Sequence, residues 1–189
     1  TENDVFNKYD SLLNSELKGY GILNYMTSHD DGEPFDKDRA MPYKTGTMLL
    51  LTPGTSQVYY GDESARDLKI EGTVGDAALR SNMNWDAISS DENTKEVLNH
   101  WQKLGQFRAN HLAVGAGKHQ LISDENGLLF SRVRKDDQVV VGINLSKGNK
   151  ELEVSSIFKN GEKVNDFYSD QILEVKEGND IEAILAGLK

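Results

Sequence analysis

The feature that most constrains this chain is a change of hydrophobic period part-way along it. Before the Gly115-Ala116-Gly117 stretch, apolar residues recur at helical spacing, broken by short apolar runs. After it they alternate or cluster as they do in strands. Val5, Tyr9, Leu12, Leu13 and Leu17 predict a helix over residues 1–18, ended by the glycines at 19 and 21. Residues 22–26, Ile-Leu-Asn-Tyr-Met, predict a buried strand that runs into a polar loop over 27–34. A second helix is expected over 39–51, stopped by Pro53-Gly54, and a second strand over 56–60. Helix, strand, helix, strand is the rhythm of βα units on a parallel sheet.

Residues 64–93 have no clear period and read as a long loop excursion, a kind of segment that often carries function. Val97, Leu98, Trp101, Leu104 and Phe107 predict a helix over 94–110 with Thr94 as its N-cap. Further on, strands are expected over 128–134 and 138–145, then near 151–154, 163–168 and 172–175. Turns are expected at Gly148-Asn149 and Asn160-Gly161, and residues 181–188 fit a strand or a helix. The expected fold class is therefore α/β followed by antiparallel β, with residues 1–117 in one domain and 118–189 in the other.

Composition narrows the function. The 189 residues carry 31 acidic against 21 basic side chains, a net charge of −10, which argues against a nucleic-acid partner. The absence of cysteine excludes disulfide staples, thiolate zinc sites and a cysteine nucleophile. The longest apolar stretch, around residues 48–51, is far too short for a membrane span. The chain opens on Thr1 without an initiator Met and without a signal peptide, which points to a processed, tagged or truncated product.

The densest polar cluster is His29-Asp30-Asp31-Gly32-Glu33, followed by Asp36 and Asp38. It follows a predicted strand directly, at the sheet edge where barrels and open α/β sheets bind ligands. Three readings compete: a glycosidase-type carboxylate, a hard-cation site, or a solvated acidic loop that caps the next helix. An EF-hand is excluded, because its loop glycine at Gly32 would put Thr27 and His29 where carboxylates are wanted. Gly61-Asp62-Glu63 follows the next strand in the same way, and that parallel favours the first reading. Trp101 and Phe107 read as core. Trp85 could stack on a sugar ring or anchor its loop, and anchoring is the reading preferred here. Asn144-Leu145-Ser146 is a glycosylation sequon of the kind that arises by chance.

These segments are also familiar together. Asn24-Tyr25-Met26-Thr27-Ser28-His29-Asp30 resembles the end of the seventh barrel strand in the α-amylase family, glycoside hydrolase family 13. Thr52-Pro53-Gly54-Thr55-Ser56-Gln57-Val58-Tyr59-Tyr60-Gly61-Asp62-Glu63 resembles that family's eighth-strand motif. Arg80-Ser81-Asn82-Met83-Asn84-Trp85 looks like its Arg…Met-x-Trp segment, and residues 104–115 are similar to its last barrel helix. The resemblance implies the last two βα units of a (β/α)8 barrel over 1–117 and a C-terminal antiparallel β-sandwich domain over 118–189. It implies a retaining hydrolase of α-linked glucans in which Asp30 stabilises the transition state and His29 binds the same sugar. Asp31 and Trp85 are further substrate-binding candidates, whereas Tyr60, Gly61, Glu63 and Arg80 are motif residues with a structural role. The family's nucleophile and acid/base strands have no counterpart here, so the chain reads as a C-terminal fragment, inactive alone.

The partners this implies are an α-glucan oligosaccharide or polysaccharide and the missing N-terminal barrel portion, with a swapped oligomer as one way to cover the open strand edges. No metal site or cofactor is expected in this chain, although calcium could belong to the full enzyme. Polysaccharide substrates place such a protein in the periplasm or outside the cell. A non-catalytic carbohydrate-binding or docking module, and a glucan transferase of the same family, are the alternatives.

Overall fold

The computed structural model describes residues 2–123, 127–143, 148–176 and 180–185. Helix α1 (Glu2–Asn14) is followed by strand β1 (Leu23–Asn24), helix α2 (Pro42–Leu50) and strand β2 (Thr55–Ser56). Two 3₁₀ turns, Asp62–Ser64 and Gly75–Arg80, lead to helices α3 (Trp85–Ser90), α4 (Glu92–Asn110) and α5 (Leu112–Ala116). Seven strands follow: β3 (Lys118–Ser123), β4 (Leu128–Arg134), β5 (Asp137–Ile143), β6 (Gly148–Glu153), β7 (Lys163–Asp166), β8 (Gln171–Glu174) and β9 (Asp180–Leu185). The chain forms two compact units, Gly21–Asn110 in one and Thr1–Tyr20 with His111–Lys189 in the other. Among the described residues no helix is long and apolar enough to cross a membrane.

In the first unit β1 and β2 pair in parallel, Leu23 opposite Thr55 and Asn24 opposite Ser56. The turn into β2 is set by Gly54, whose φ is +87° and whose Cβ, if it had one, would lie 2.4 Å from the Ile22 carbonyl oxygen. Asn24 ties the same turn by donating to the Pro53 carbonyl at 2.7 Å. Both strands are shorter than their apolar runs predict, and Leu23 is 58% exposed rather than buried. A parallel strand is buried when covered on both faces, and among the described residues β1 pairs with β2 alone.

Helix α2 begins at Pro42, three residues later than the hydrophobic pattern suggested, because Arg39 has a left-handed φ of +54° and proline is best placed in a first helical turn. The buried Asp36 carboxylate caps that start, accepting from Met41 N–H at 3.0 Å and from the Thr45 hydroxyl at 3.3 Å. Helix α4 starts two residues earlier than expected: Asp91, not Thr94, is the cap, accepting from Thr94 N–H at 2.7 Å. Gly46 lets α2 and α4 approach, since a Cβ there would meet the Trp101 ring at 2.8 Å. Trp101 is core as expected, 3% exposed, and its indole donates to the Pro42 carbonyl at 3.0 Å. His100 lies buried in the same face, between the Thr47 hydroxyl (3.1 Å) and the Tyr43 carbonyl (3.0 Å). The long excursion over 64–93 is not bare loop: it holds the second 3₁₀ turn and α3.

In the second unit β3, β4 and β5 form an antiparallel sheet with β4 central, while β6 pairs with β9 and β7 with β8. Gly148-Asn149 lies inside β6 rather than in a turn. The described part of residues 181–188 is strand, and the sequon at Asn144 lies outside the described residues. Phe6 of α1 is fully buried and stacks on Phe130 at 4.7 Å between ring centroids. Beside it Arg132 Nε donates to His119 Nδ1 at 2.7 Å, which leaves the His119 proton on Nε2, donated to the Phe6 carbonyl at 3.2 Å. Burial, and secondarily the Arg132 charge, push the His119 pKa down to about 4.

That arrangement has a pH consequence. The unfolded chain takes up a proton on His119 near pH 6.5 while the folded chain stays neutral down to about pH 4. Stability is therefore complete above the unfolded pKa and is lost as pH falls toward the folded one, by about 3 kcal/mol in full. Urea denaturation midpoints measured between pH 7 and pH 4 check this: the decline should be shallower in His119→Gln. Equal slopes would contradict it.

Candidate functional site

The loop after β1 carries the predicted carboxylates. His29 and Asp30 sit at its exposed rim, with side chains 62% and 65% accessible. Both carboxylate oxygens of Asp30 are engaged: Oδ2 lies 3.0 Å from His29 Nε2, and Oδ1 accepts from Arg80 Nη2 at 3.3 Å. The same Arg80 nitrogen donates to the His29 carbonyl at 3.3 Å. Three residues taken from two sequence segments thus converge on one solvent-facing carboxylate. Asp31 turns away from this group and accepts from Glu33 N–H at 3.2 Å in a local Asx turn. Lys37 ties down the same loop through the Gly32 carbonyl (2.8 Å) and Glu33 (3.1 Å). Among the described residues no group of three or more His, Cys, Asp or Glu is arranged to hold a metal ion.

The second motif segment is built as a brace. Gly61 has a φ of +83° and lies against Arg66 so closely that a Cβ would meet its Nε at 2.5 Å. Glu63 folds back to accept from Gly61 N–H at 3.0 Å, closing the turn. Arg66, 1% exposed, passes beneath: its guanidinium lies 3.9 Å from the Tyr60 ring centre and donates to the carbonyls of Tyr60 (2.9 Å), Ser81 (3.0 Å) and Leu79 (3.3 Å) and to the Ser81 hydroxyl. The Tyr59 and Tyr60 hydroxyls donate to those of Leu79 (3.1 Å) and Ser81 (2.9 Å). Ser64 and Asn84 exchange two further hydrogen bonds, at 2.7 and 2.9 Å. Tyr60 and Arg66 thus bond the backbone beside Arg80, while Glu63 closes the turn at Gly61.

Asp62, the other acid of this turn, is wholly buried against Arg39 at 2.7 Å. Burial pushes its carboxyl up, with Arg39 pulling the other way. Arg39 also donates to the Arg66 carbonyl at 2.8 Å, so the turn is fixed from below. Trp85 opens α3 and is 69% exposed; it does not anchor its segment in the body of the unit. Sequence reasoning missed Arg39, placed at the start of a predicted helix, and Arg66, whose surroundings in the sequence have no period. The available signal was Arg66 itself, five residues beyond a glycine that follows two tyrosines.

The described fold is shared with part of several solved α-amylases. AmyP with bound maltotriose superposes with a TM-score of 0.73 at 16% identity, covering 97% of this chain and 42% of that one. The Anoxybacillus α-amylase gives 0.69 at 17% identity, covering 97% and 40%. The acarbose complex of the Geobacillus thermoleovorans α-amylase gives 0.67 at 18% identity, covering 98% and 40%. In sequence, the chain is 39% identical over 126 residues to the periplasmic α-amylase of Escherichia coli, which spans 67% of this chain but 18% of that protein. No protein-family model matches it. The chain thus covers under half of the solved relatives and under a fifth of the curated one. The resemblance read from the sequence holds: the chain matches a C-terminal part of an α-amylase family enzyme, glycoside hydrolase family 13.

Proposed function

We propose that this chain is the C-terminal portion of a retaining α-glucan hydrolase, comprising the last two βα units of a (β/α)8 barrel and a C-terminal β-sandwich domain. It supplies one of the three carboxylates of the reaction. The observation that carries the reading is Asp30: an exposed carboxylate after a parallel strand, held through both oxygens by His29 and Arg80. In that role Asp30 binds sugar hydroxyls at the scissile residue and stabilises the positive charge that builds on the ring in the transition state. His29 contacts the same sugar, and the exposed Trp85 offers a flat apolar face to a neighbouring one. Asp31 contributes at the edge of the same loop. The nucleophile and the acid/base come from strands outside this chain, so the chain alone does not hydrolyse glucan. The relatives support the substrate class, since one of them is an AmyP complex with maltotriose and another with maltose. The name of the Escherichia coli relative supports a periplasmic setting.

Reducing-sugar release from starch tests this. The full-length protein should hydrolyse starch, and Asp30→Asn should lower its rate by about 100- to 1000-fold, the cost of losing one electrostatic contact to a transition state. The isolated chain should release nothing above background. Release by the isolated chain that Asp30→Asn abolishes would overturn the reading of inactivity.

A further inference from the structure

We propose that Arg80 is a positioning residue that fixes the orientation of the Asp30 carboxylate, and that the Tyr59-Tyr60-Gly61 turn with Arg66 delivers it there. The proposal rests on the reading of Asp30 given above. Arg80 ends the 3₁₀ turn Gly75–Arg80 between two clamped neighbours. On one side the Leu79 carbonyl takes hydrogen bonds from Tyr59 and Arg66; on the other, the Ser81 carbonyl takes them from Tyr60 and Arg66. Leu79 is itself 1% exposed, so the residue before Arg80 is seated in the core. The backbone of Arg80 is therefore held from both sides by groups that owe nothing to its side chain.

That side chain is half exposed and spends its reach on Asp30 and on the carbonyl of His29. An ion pair this open to water adds little to folding stability. Its effect is geometric. With His29 on Oδ2 and Arg80 on Oδ1, the carboxylate is held from two directions. A lone exposed aspartate would instead rotate freely about its χ angles. A carboxylate that must meet sugar hydroxyls in one orientation gains rate when that orientation is already set. The neighbouring charged groups on this loop point elsewhere: Asp31 to Glu33 N–H, and Lys37 to Gly32 and Glu33.

The test compares Arg80→Gln and Arg80→Lys with the wild type in the full-length protein, using a nitrophenyl malto-oligosaccharide. In Arg80→Gln, kcat should fall by about 10- to 100-fold while KM stays within about threefold, as expected for a misplaced group rather than a lost binding contact. Arg80→Lys should recover part of the loss, and the melting temperature of both should match the wild type. Unchanged kcat, a loss confined to KM, or a loss that tracks a falling melting temperature would each overturn the proposal. A wild-type protein without glucan hydrolysis defeats the functional reading instead. The contact is then judged in the present chain by ¹⁵N spectra of the arginine side chains. Asp30→Asn should shift the Arg80 Nη signals, and unshifted signals would overturn the proposed contact.

Discussion

Arg66→Ala is expected to destabilise the unit of residues 21–110 by about 3–5 kcal/mol, the range for dismantling a buried charged network. Arg66 is a cation with 1% exposure whose hydrogen bonds, among the described residues, go to three carbonyls and a hydroxyl rather than to a carboxylate. Truncation removes all of these at once, opens a cavity under Gly61 and strips the Tyr60 ring of the guanidinium at 3.9 Å. Each carbonyl left dry costs roughly 1–3 kcal/mol, offset where the tyrosine hydroxyls still reach Leu79 and Ser81. Arg66→Lys should recover only part, because an ammonium cannot span carbonyls from three residues as the planar fork does. Urea denaturation followed by tryptophan fluorescence reads the effect, since both tryptophans lie in this unit. A loss under about 1 kcal/mol would mean that the brace is not what holds the loop.

Phe6→Ala should have an effect of similar size on the other unit, about 3–5 kcal/mol, the usual cost of removing a fully buried phenylalanine. The ring has no exposure and stacks on Phe130, with Tyr9 and His119 at 6.3 and 6.4 Å between centroids. Losing it weakens the seat of α1 on the sheet and the His119 hydrogen bond to the Phe6 carbonyl. The check is a pair of measurements, the denaturation midpoint and the rate of proteolytic cleavage within residues 1–20. The midpoint should fall and the cleavage rate should rise. Val5→Ala, next along the helix but 37% exposed, serves as the control and should change little. Equal behaviour of the two variants would contradict the packing described here.

The site was legible in the sequence as far as local chemistry reaches. The loop carrying His29 and Asp30 follows a strand because a short apolar run ends at Met26 and polar residues begin at Thr27. Gly54 and Gly61 announced turns, and both have the positive φ that favours glycine. Element starts were less legible. Pro42 and Asp91 displaced two helix N-termini, since a fixed φ and a capping carboxylate outweigh the periodicity of neighbouring side chains. The exposure of Trp85 was misread because it depends on what packs against the segment, and spacing along a chain does not record that.

By itself the sequence determined the switch from helical to strand periodicity, the absence of thiol chemistry and the placement of Asp30 after an apolar run. These are properties of neighbouring residues, and local sterics and solvation are enough to express them. Only the tertiary structure decided that Arg80, 50 residues beyond Asp30, reaches its carboxylate. It alone decided that Arg66 clamps both sides of Arg80, and that α1 at the start of the chain seats on the sheet of β3, β4 and β5. The physical reason is that such long-range pairings arise from the burial of Leu79, Arg66 and Phe6. Burial is a property of the folded whole.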